Sequence, residues 1–347
     1  MKRKTFLKTA GSVLALSTIP TNIFSETLPN KIKPKRLKKG DTIGLVSPGS
    51  FITEDSLEEA IESLELLGYK VKYTNRILNK YGYLGGKDKD RADDINEMFE
   101  RKDIDAVVCV RGGYGCARML DYVDYDLIKN NPKIIVGYSD ITALLYAITA
   151  KTGLVTFHGP VGISTFNEFS VSYFNEVLIN ANSNLELLSV VEEGKEDNNE
   201  YQIIKITEGT AEGELVGGNL SIIVTMIGTE YDIDSKGKLV FLEEIGEEPY
   251  RVDRMLTHMI QAGKFKDAAG IVLGVFRNCD PDKDDPEFED SLSLIQVLED
   301  RLGSLGIPVI YGLSFGHISN KFTLPFGIKA RLNVSQEKLT LIESAVV

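Results

Sequence analysis

The stretch VGYSDITALLYAITAK, residues 136–151, decides how the chain folds. An apolar run, Ile134-Ile135-Val136, stops at Gly137. Tyr138-Ser139-Asp140 follows, and then an apolar stretch of helical length. This is a strand, a sharp turn and a helix, with a serine at the turn. Two readings compete for Ser139. A serine before an apolar run commonly caps the helix. A serine held out at the end of a sheet, close to helix N-terminal N–H groups, can instead attack a carbonyl and have its oxyanion stabilised. Taken alone, the stretch favours the cap.

Upstream, Thr42 to Val46 reads as a buried strand and Ser47-Pro48-Gly49-Ser50 as its turn. Thr53 is a plausible N-cap for a helix with Glu54 and Asp55 in its first turn, and Leu57, Ile61, Leu64 and Leu67 supply its apolar face. Tyr69 to Tyr73 is a second strand, and Asp88 to Glu100 a polar helix with Ile95, Met98 and Phe99 inward. Ala106 to Val110 is a third strand, running into Arg111-Gly112-Gly113-Tyr114-Gly115. Strands alternating with helices imply a parallel sheet covered on both faces. Functional groups gather at the carboxyl ends of such strands. The turns at Ser47, Arg111 and Ser139 all lie there.

Composition narrows the chemistry. A net charge of -12 over 347 residues leaves no basic excess to displace phosphate counterions, so nucleic acid is excluded as a partner. Cys109, Cys116 and Cys279 show neither metal-ligand nor disulfide spacing, and three scattered histidines form no ligand cluster. No metal and no cofactor is expected; the chain has neither a G-x-G-x-x-G after its first strand nor a G-K-[ST]. The N-terminus differs from the rest. Residues 1–25 carry Lys2, Arg3, Lys4 and Lys8, no acid before Glu26, and a mildly apolar stretch from Ala10 to Ile19. This is the layout of an export signal, close to the twin-arginine pattern with Lys4 in place of the second arginine. It points to the periplasm or cell envelope, with the cytoplasm as the alternative. No later run is long and apolar enough to span a bilayer. Lys31 to Lys39 reads as an extended, solvated basic linker, with structure beginning at Gly40.

Residues 190–200 (VVEEGKEDNNE) mark a polar boundary. Beyond it come short strands at Tyr201 to Ile206, Glu212 to Val216, Leu239 to Leu242, Ala269 to Val275 and Val309 to Leu313. Amphipathic helices are expected from Pro249 to Ala262 and within Ser291 to Leu302, and an acidic exposed loop at residues 281–290. This half reads as mixed, with more antiparallel character. If Ser139 is a nucleophile it needs a base. Among the histidines, His258 lies inside a helix, while His158 and His317 each follow a strand. An orienting carboxylate could come from Glu243 or Glu244, which end an apolar strand; alternation does not choose between them. The N–H groups of Asp140 and Gly113 are the expected oxyanion donors, and Arg111, Tyr114 and Asn219 are candidates for holding substrate. Arg111 is the cation offered to a substrate carboxylate; the competing role for it is an ion pair within its own loop.

Six segments resemble the LD-carboxypeptidases, serine peptidases of murein recycling whose relatives include the microcin C self-immunity peptidases. They are RGGYGCARML (111–120), GYSDITAL (137–144), TFHGP (156–160), GELVGGNLSII (213–223), FLEEIGEEPYRVDRML (241–256) and GLSFGHISNKFTLPFG (312–327). The resemblance implies a catalytic triad of Ser139, Glu243 and His317, with aspartate more usual where Glu244 stands. It implies an amidotransferase-like parallel-sheet domain and a smaller β-rich α/β domain, with a homodimer as the usual assembly. The corresponding boundaries are 1–39 for signal and linker, 40–185 for the serine domain and 186–347 for the domain with acid and histidine. The implied substrate is a murein tetrapeptide losing its terminal D-alanine; the alternative is an aminoacyl-nucleotide conjugate.

Overall fold

The computed structural model describes residues 30–196, 198–282 and 290–347. The export-like segment and most of the 281–290 loop lie outside them. Among the described residues no helix is long and apolar enough to cross a membrane.

The first sheet is built from β1 (Thr42–Val46), β2 (Lys70–Lys72), β3 (Ala106–Cys109), β4 (Ile134–Gly137) and β5 (Phe157–His158), all parallel, in the order β5-β4-β3-β1-β2. Every residue of β3 and β4 is buried, as a strand covered on both faces requires. Helix α1 (Glu54–Leu66) starts where the Thr53 side chain accepts the Ser56 N–H, and it buries Leu57, Ala60 and Leu64. Helix α2 (Asp88–Glu100) is mostly polar, but Ile95, Met98 and Phe99 are fully buried. At roughly 1.5–3 kcal/mol for each large side chain removed from water, that face holds the helix in place. Cys116–Tyr122 forms a 3₁₀ helix, and α3 (Tyr125–Asn130) leads into β4. Helix α4 (Thr142–Thr152), the one after Ser139, is buried along nearly its whole length. It is followed after β5 by α5 (Glu168–Leu178).

The second sheet has eight strands: β6 (Leu185–Leu188), β7 (Ile204–Thr207), β8 (Thr210–Asn219), β9 (Leu239–Ile245), β10 (Gly270–Arg277), β11 (Val309–Gly316), β13 (Lys329–Asn333) and β14 (Lys338–Leu341). In strand count it is the larger of the two sheets. Its centre, β8-β9-β10-β11, is parallel, and antiparallel strands flank it. Helices α6 (Leu220–Met226), α7 (Pro249–Gln261) and α8 (Leu294–Leu302) lie between successive parallel strands in the chain, so this half is more α/β than its short strands suggest. A two-residue strand, β12 (Leu324–Pro325), returns from this half to pair antiparallel with β5. The two sheets are therefore tied by backbone as well as by packing.

The basic linker is extended and mostly exposed, as its charge suggests, but it is docked at several points. Ile32 bridges Leu154, the Arg36 and Leu37 N–H groups reach Val347 and Leu178, and Leu37 is buried. Lys31 and Lys33 both bond Glu343. Burial opposes ionisation of Glu343, but the hydrogen bonds from Lys31, the Lys329 N–H and Lys33 outweigh it and lower the carboxyl to about 2. A run of like charge reads as solvated only until its acidic partners, distant in sequence, are placed beside it.

Candidate active site

Ser139 sits at φ 65°, a left-handed conformation that costs a non-glycine residue about 1–2 kcal/mol. It opens a 3₁₀ turn (Ser139–Ile141) between β4 and α4, and its side chain caps neither that turn nor the helix. The cap reading is overturned. Its Oγ instead lies 3.1 Å from His317 Nε2, and His317 Nδ1 lies 2.7 Å from Glu243 Oε2. His317 comes directly after β11, which runs three residues further than its apolar stretch suggests, and Gly316 makes the bend. Gly316 has φ +112°, and a Cβ there would lie 3.1 Å from Glu243 Oε2, so a side chain would strain the backbone and crowd the acid. Glu243 itself is wholly buried within β9, two residues after Phe241.

Burial alone would raise the Glu243 carboxyl. The charge and hydrogen bond of His317 outweigh burial and hold it below the usual carboxylate range. An ionised Glu243 only accepts hydrogen bonds, so Nδ1 donates to it and Nε2 is left to accept the Ser139 hydroxyl proton. Glu244 serves elsewhere. It receives the Asn219 amide at 3.0 Å and the Ser221 N–H at 2.7 Å, and burial raises its carboxyl.

The turns after β1, β3 and β4 converge as the topology required. Ser50 N–H reaches Gly112 O at 3.2 Å, Tyr114 N–H reaches Ser50 Oγ at 3.2 Å, and Cys116 N–H reaches Asp140 Oδ2 at 2.9 Å. No acceptor among the described residues takes the Gly113 or Asp140 N–H. Arg111 is half-buried next to this loop; the ion pair offered for it within its loop is not formed with any described residue. Tyr114 is exposed and packs edge-on against Tyr83 at 5.6 Å. Asn219 is buried at the end of β8. Its Oδ1 caps α6 through the Ile222 N–H and its amide hydrogens go to Glu244 and the Glu243 carbonyl. One amide hydrogen is committed to Glu244 at 3.0 Å, while the contact to the Glu243 carbonyl is long at 3.5 Å, so Asn219 braces the acid strand.

Two residues that sequence reasoning passed over shape the site. Gly112 packs directly on the serine: a Cβ there would fall 2.9 Å from Ser139 Cβ and 3.2 Å from its Oγ. Gly112→Ala is expected to push the Ser139 hydroxyl off line and lower kcat by roughly 10²-fold, the scale for a misplacement near 1 Å. Unchanged turnover in steady-state assays would show that the contact is idle. Arg91, 1% exposed, bonds the carbonyls of Pro48 and Gly115 and the Asp88 carboxylate. It ties the turn after β1 to the turn after β3. An arginine on a polar helix gives no hint of that burial.

His158, the other histidine at a strand end, is 2% exposed, and neither ring nitrogen has a partner among the described residues. Burial pushes its imidazole down to about 4, so it stays neutral at neutral pH. Unfolded, it titrates near 6.5. The unfolded chain thus binds the extra proton between those values, and stability, full above pH 6.5, falls as pH drops toward 4, by about 3 kcal/mol. His158→Leu is expected to flatten urea-denaturation midpoints between pH 6.5 and 4.5; an unaltered slope would assign it to other groups.

The comparisons with known proteins cover both halves of the chain. Residues 43–159 match the LD-carboxypeptidase N-terminal domain and residues 212–332 the LD-carboxypeptidase C-terminal domain. The chain belongs to the LD-carboxypeptidase family. It is an enzyme of the serine-peptidase type. It is 42% identical to the "Probable murein peptide carboxypeptidase" of Bacillus subtilis, over 90% of this chain and 95% of that one. It is 30% identical to the murein tetrapeptide carboxypeptidase of Pseudomonas aeruginosa, over 84% and 92%. The solved structure of the microcin C7 self-immunity protein MccF superposes with a TM-score of 0.81 at 27% identity, covering 91% of this chain and 99% of that one. The MccF likeness covers both the parallel-sheet half and the second sheet. No group of histidine, cysteine and acidic side chains among the described residues could hold a metal ion.

Proposed function

We propose that this LD-carboxypeptidase hydrolyses the bond between the L-centre of a diamino acid and the terminal D-alanine of murein tetrapeptides. The carrying observation is the strained serine whose Oγ lies 3.1 Å from an imidazole that a buried carboxylate orients. His317 takes the Ser139 proton as Oγ bonds the peptide carbonyl carbon. The N–H groups of Asp140 and Gly113 stabilise the oxyanion. His317 then protonates the departing amine as the C–N bond breaks, and water attacks the acyl-enzyme by the reverse sequence. Arg111 and Tyr114, on the loop after β3, serve as substrate contacts. The names of the relatives from Bacillus subtilis and Pseudomonas aeruginosa support the substrate class.

Mass spectrometry of muropeptides incubated with the protein tests this: tetrapeptides are expected to lose one alanine. Untouched tetrapeptides, with cleavage of an aminoacyl-nucleotide conjugate, would favour the other reading, which the MccF likeness supports. The proposed setting is the periplasm or envelope, reached through residues 1–25, and the proposed assembly a homodimer. Deleting residues 1–25 is expected to leave the protein in the cytoplasm; undiminished recovery from the envelope would refute the signal.

A further inference from the structure

Lys321 is the one buried lysine among the described residues, 5% exposed, and it lies four positions after His317. Its segment is pinned. Ser170 Oγ accepts the Lys321 N–H at 3.0 Å and donates to the Ser319 carbonyl at 2.8 Å, while Glu192 accepts the N–H groups of Ser319 and Asn320. The ammonium stands 4.7 Å from the centre of the Tyr138 ring. Tyr138 immediately precedes Ser139, and its ring packs edge-on against that of His317 at 4.9 Å. Lys321, Tyr138 and His317 therefore form one stack beside the nucleophile.

A buried ammonium ordinarily has a carboxylate or several carbonyls around it. This one makes no hydrogen bond or ion pair with any described residue, and the aromatic face is its only close contact of charge-stabilising type. Glu243 and Glu192 attract it and Arg277 repels it, all from beyond ion-pair range. Burial pushes it down to about 8, so it is still charged at neutral pH and gains from meeting an anion. Nor is its Nζ among the sealed polar atoms that lack a partner, so water reaches it. Arg277, exposed and bonded to the His317 carbonyl at 3.1 Å, adds positive potential on the same side.

The proposed reaction leaves an anion there. The departing amine takes its proton from His317 Nε2, and the amino acid that carries this amine has its free carboxylate one carbon away. We propose that the Lys321 ammonium, seated on the Tyr138 ring, is the subsite for the free α-carboxylate of the departing terminal residue. The inference rests on the carboxypeptidase reading and says how such an enzyme confines itself to chain ends. Arg111, the cation that the sequence offers for this task, stands on the loop after β3 beside Gly112, not on the His317 loop.

The test compares a murein tetrapeptide bearing a free terminal carboxylate with its C-terminal amide, in the full chain and in Lys321→Met and Lys321→Arg. The wild-type protein is expected to prefer the acid strongly. Lys321→Met should lower kcat/KM for the acid by roughly 10- to 100-fold, the scale of a lost charge-assisted hydrogen bond, with little change for the amide. Lys321→Arg should keep part of the preference. Equal losses on both substrates, or none on either, would overturn the subsite and leave Lys321 as packing. Inactivity of the wild-type protein on both peptides would instead overturn the carboxypeptidase reading, and the subsite with it. Should the methionine variant not fold, the wild-type preference measured from pH 7 to 9.5 decides. His317 acts on both peptides alike, so the ratio should fall above about pH 8 as the ammonium is lost, and a constant ratio would overturn the assignment.

Discussion

Ser139→Ala is expected to lower kcat on a cleavable muropeptide by roughly 10³-fold or more, with the protein still folded. The size of the loss follows from what remains. Alanine keeps the φ 65° turn, the free Asp140 and Gly113 N–H groups and the binding walls, but nothing is left for His317 to activate. Binding should survive, so the loss belongs in kcat and not in KM. The same position offers a second readout. A left-handed backbone is strained for alanine and serine alike but not for glycine, so Ser139→Gly should be more stable than Ser139→Ala by about 1 kcal/mol while equally inactive. Strain that a glycine would remove, kept at the residue that does the chemistry, is what a functional turn predicts. Thermal melts of both variants, with steady-state kinetics, check the pair. Near-normal turnover in either variant would sink Ser139 as the nucleophile.

How much of this could be read in the chain depends on the range of the interaction. The strand–turn–helix at Ser139 was legible because β4 and α4 are continuous apolar runs interrupted by one glycine and one polar turn. Thr53 as a cap and the inward face of α2 were legible for the same reason: their partners lie within a few residues. The strand pattern did not choose Glu243 over Glu244; the family resemblance alone named Glu243. Both side chains are buried, on opposite faces of β9, and only the register against β8 and the arrival of His317 from β11 distinguish them. Alternation names two faces but does not say which one meets the serine. The parallel centre of the second sheet was hidden too, because only the apolar middles of its strands stand out in the sequence, while polar and glycine-rich ends extend them. Arg91 and Lys321 were invisible in principle, since charge on a helix or loop reads as solvated until the fold buries it. The docking of the linker was hidden by the same logic: Glu343, more than 300 residues from Lys31, supplies its anion.

The second large effect concerns the acid. Glu243→Gln is expected to lower kcat by roughly 10⁴-fold with the fold intact, the loss that carboxylate-to-amide exchange causes in other triads. Geometry is nearly conserved, so the effect is one of proton placement. Glutamine can donate its own N–H to His317 Nδ1, which moves the imidazole proton to Nε2, where it faces Ser139 Oγ and blocks uptake of the hydroxyl proton. It also removes the charge that stabilises the imidazolium. Stability should fall too, but modestly, because the His317 contact outweighs the cost of burying the charge while the amide still fills the site with one hydrogen bond to Nδ1. A nearly inert enzyme whose melting temperature falls by only a few degrees would therefore assign the carboxylate to catalysis more than to support of β9. Glu243→Asp retains the charge but is one methylene short of the 2.7 Å contact, so its activity should fall between the two. If glutamine and aspartate cost the same, reach and not charge would be the property that matters, and the tautomer argument would fail.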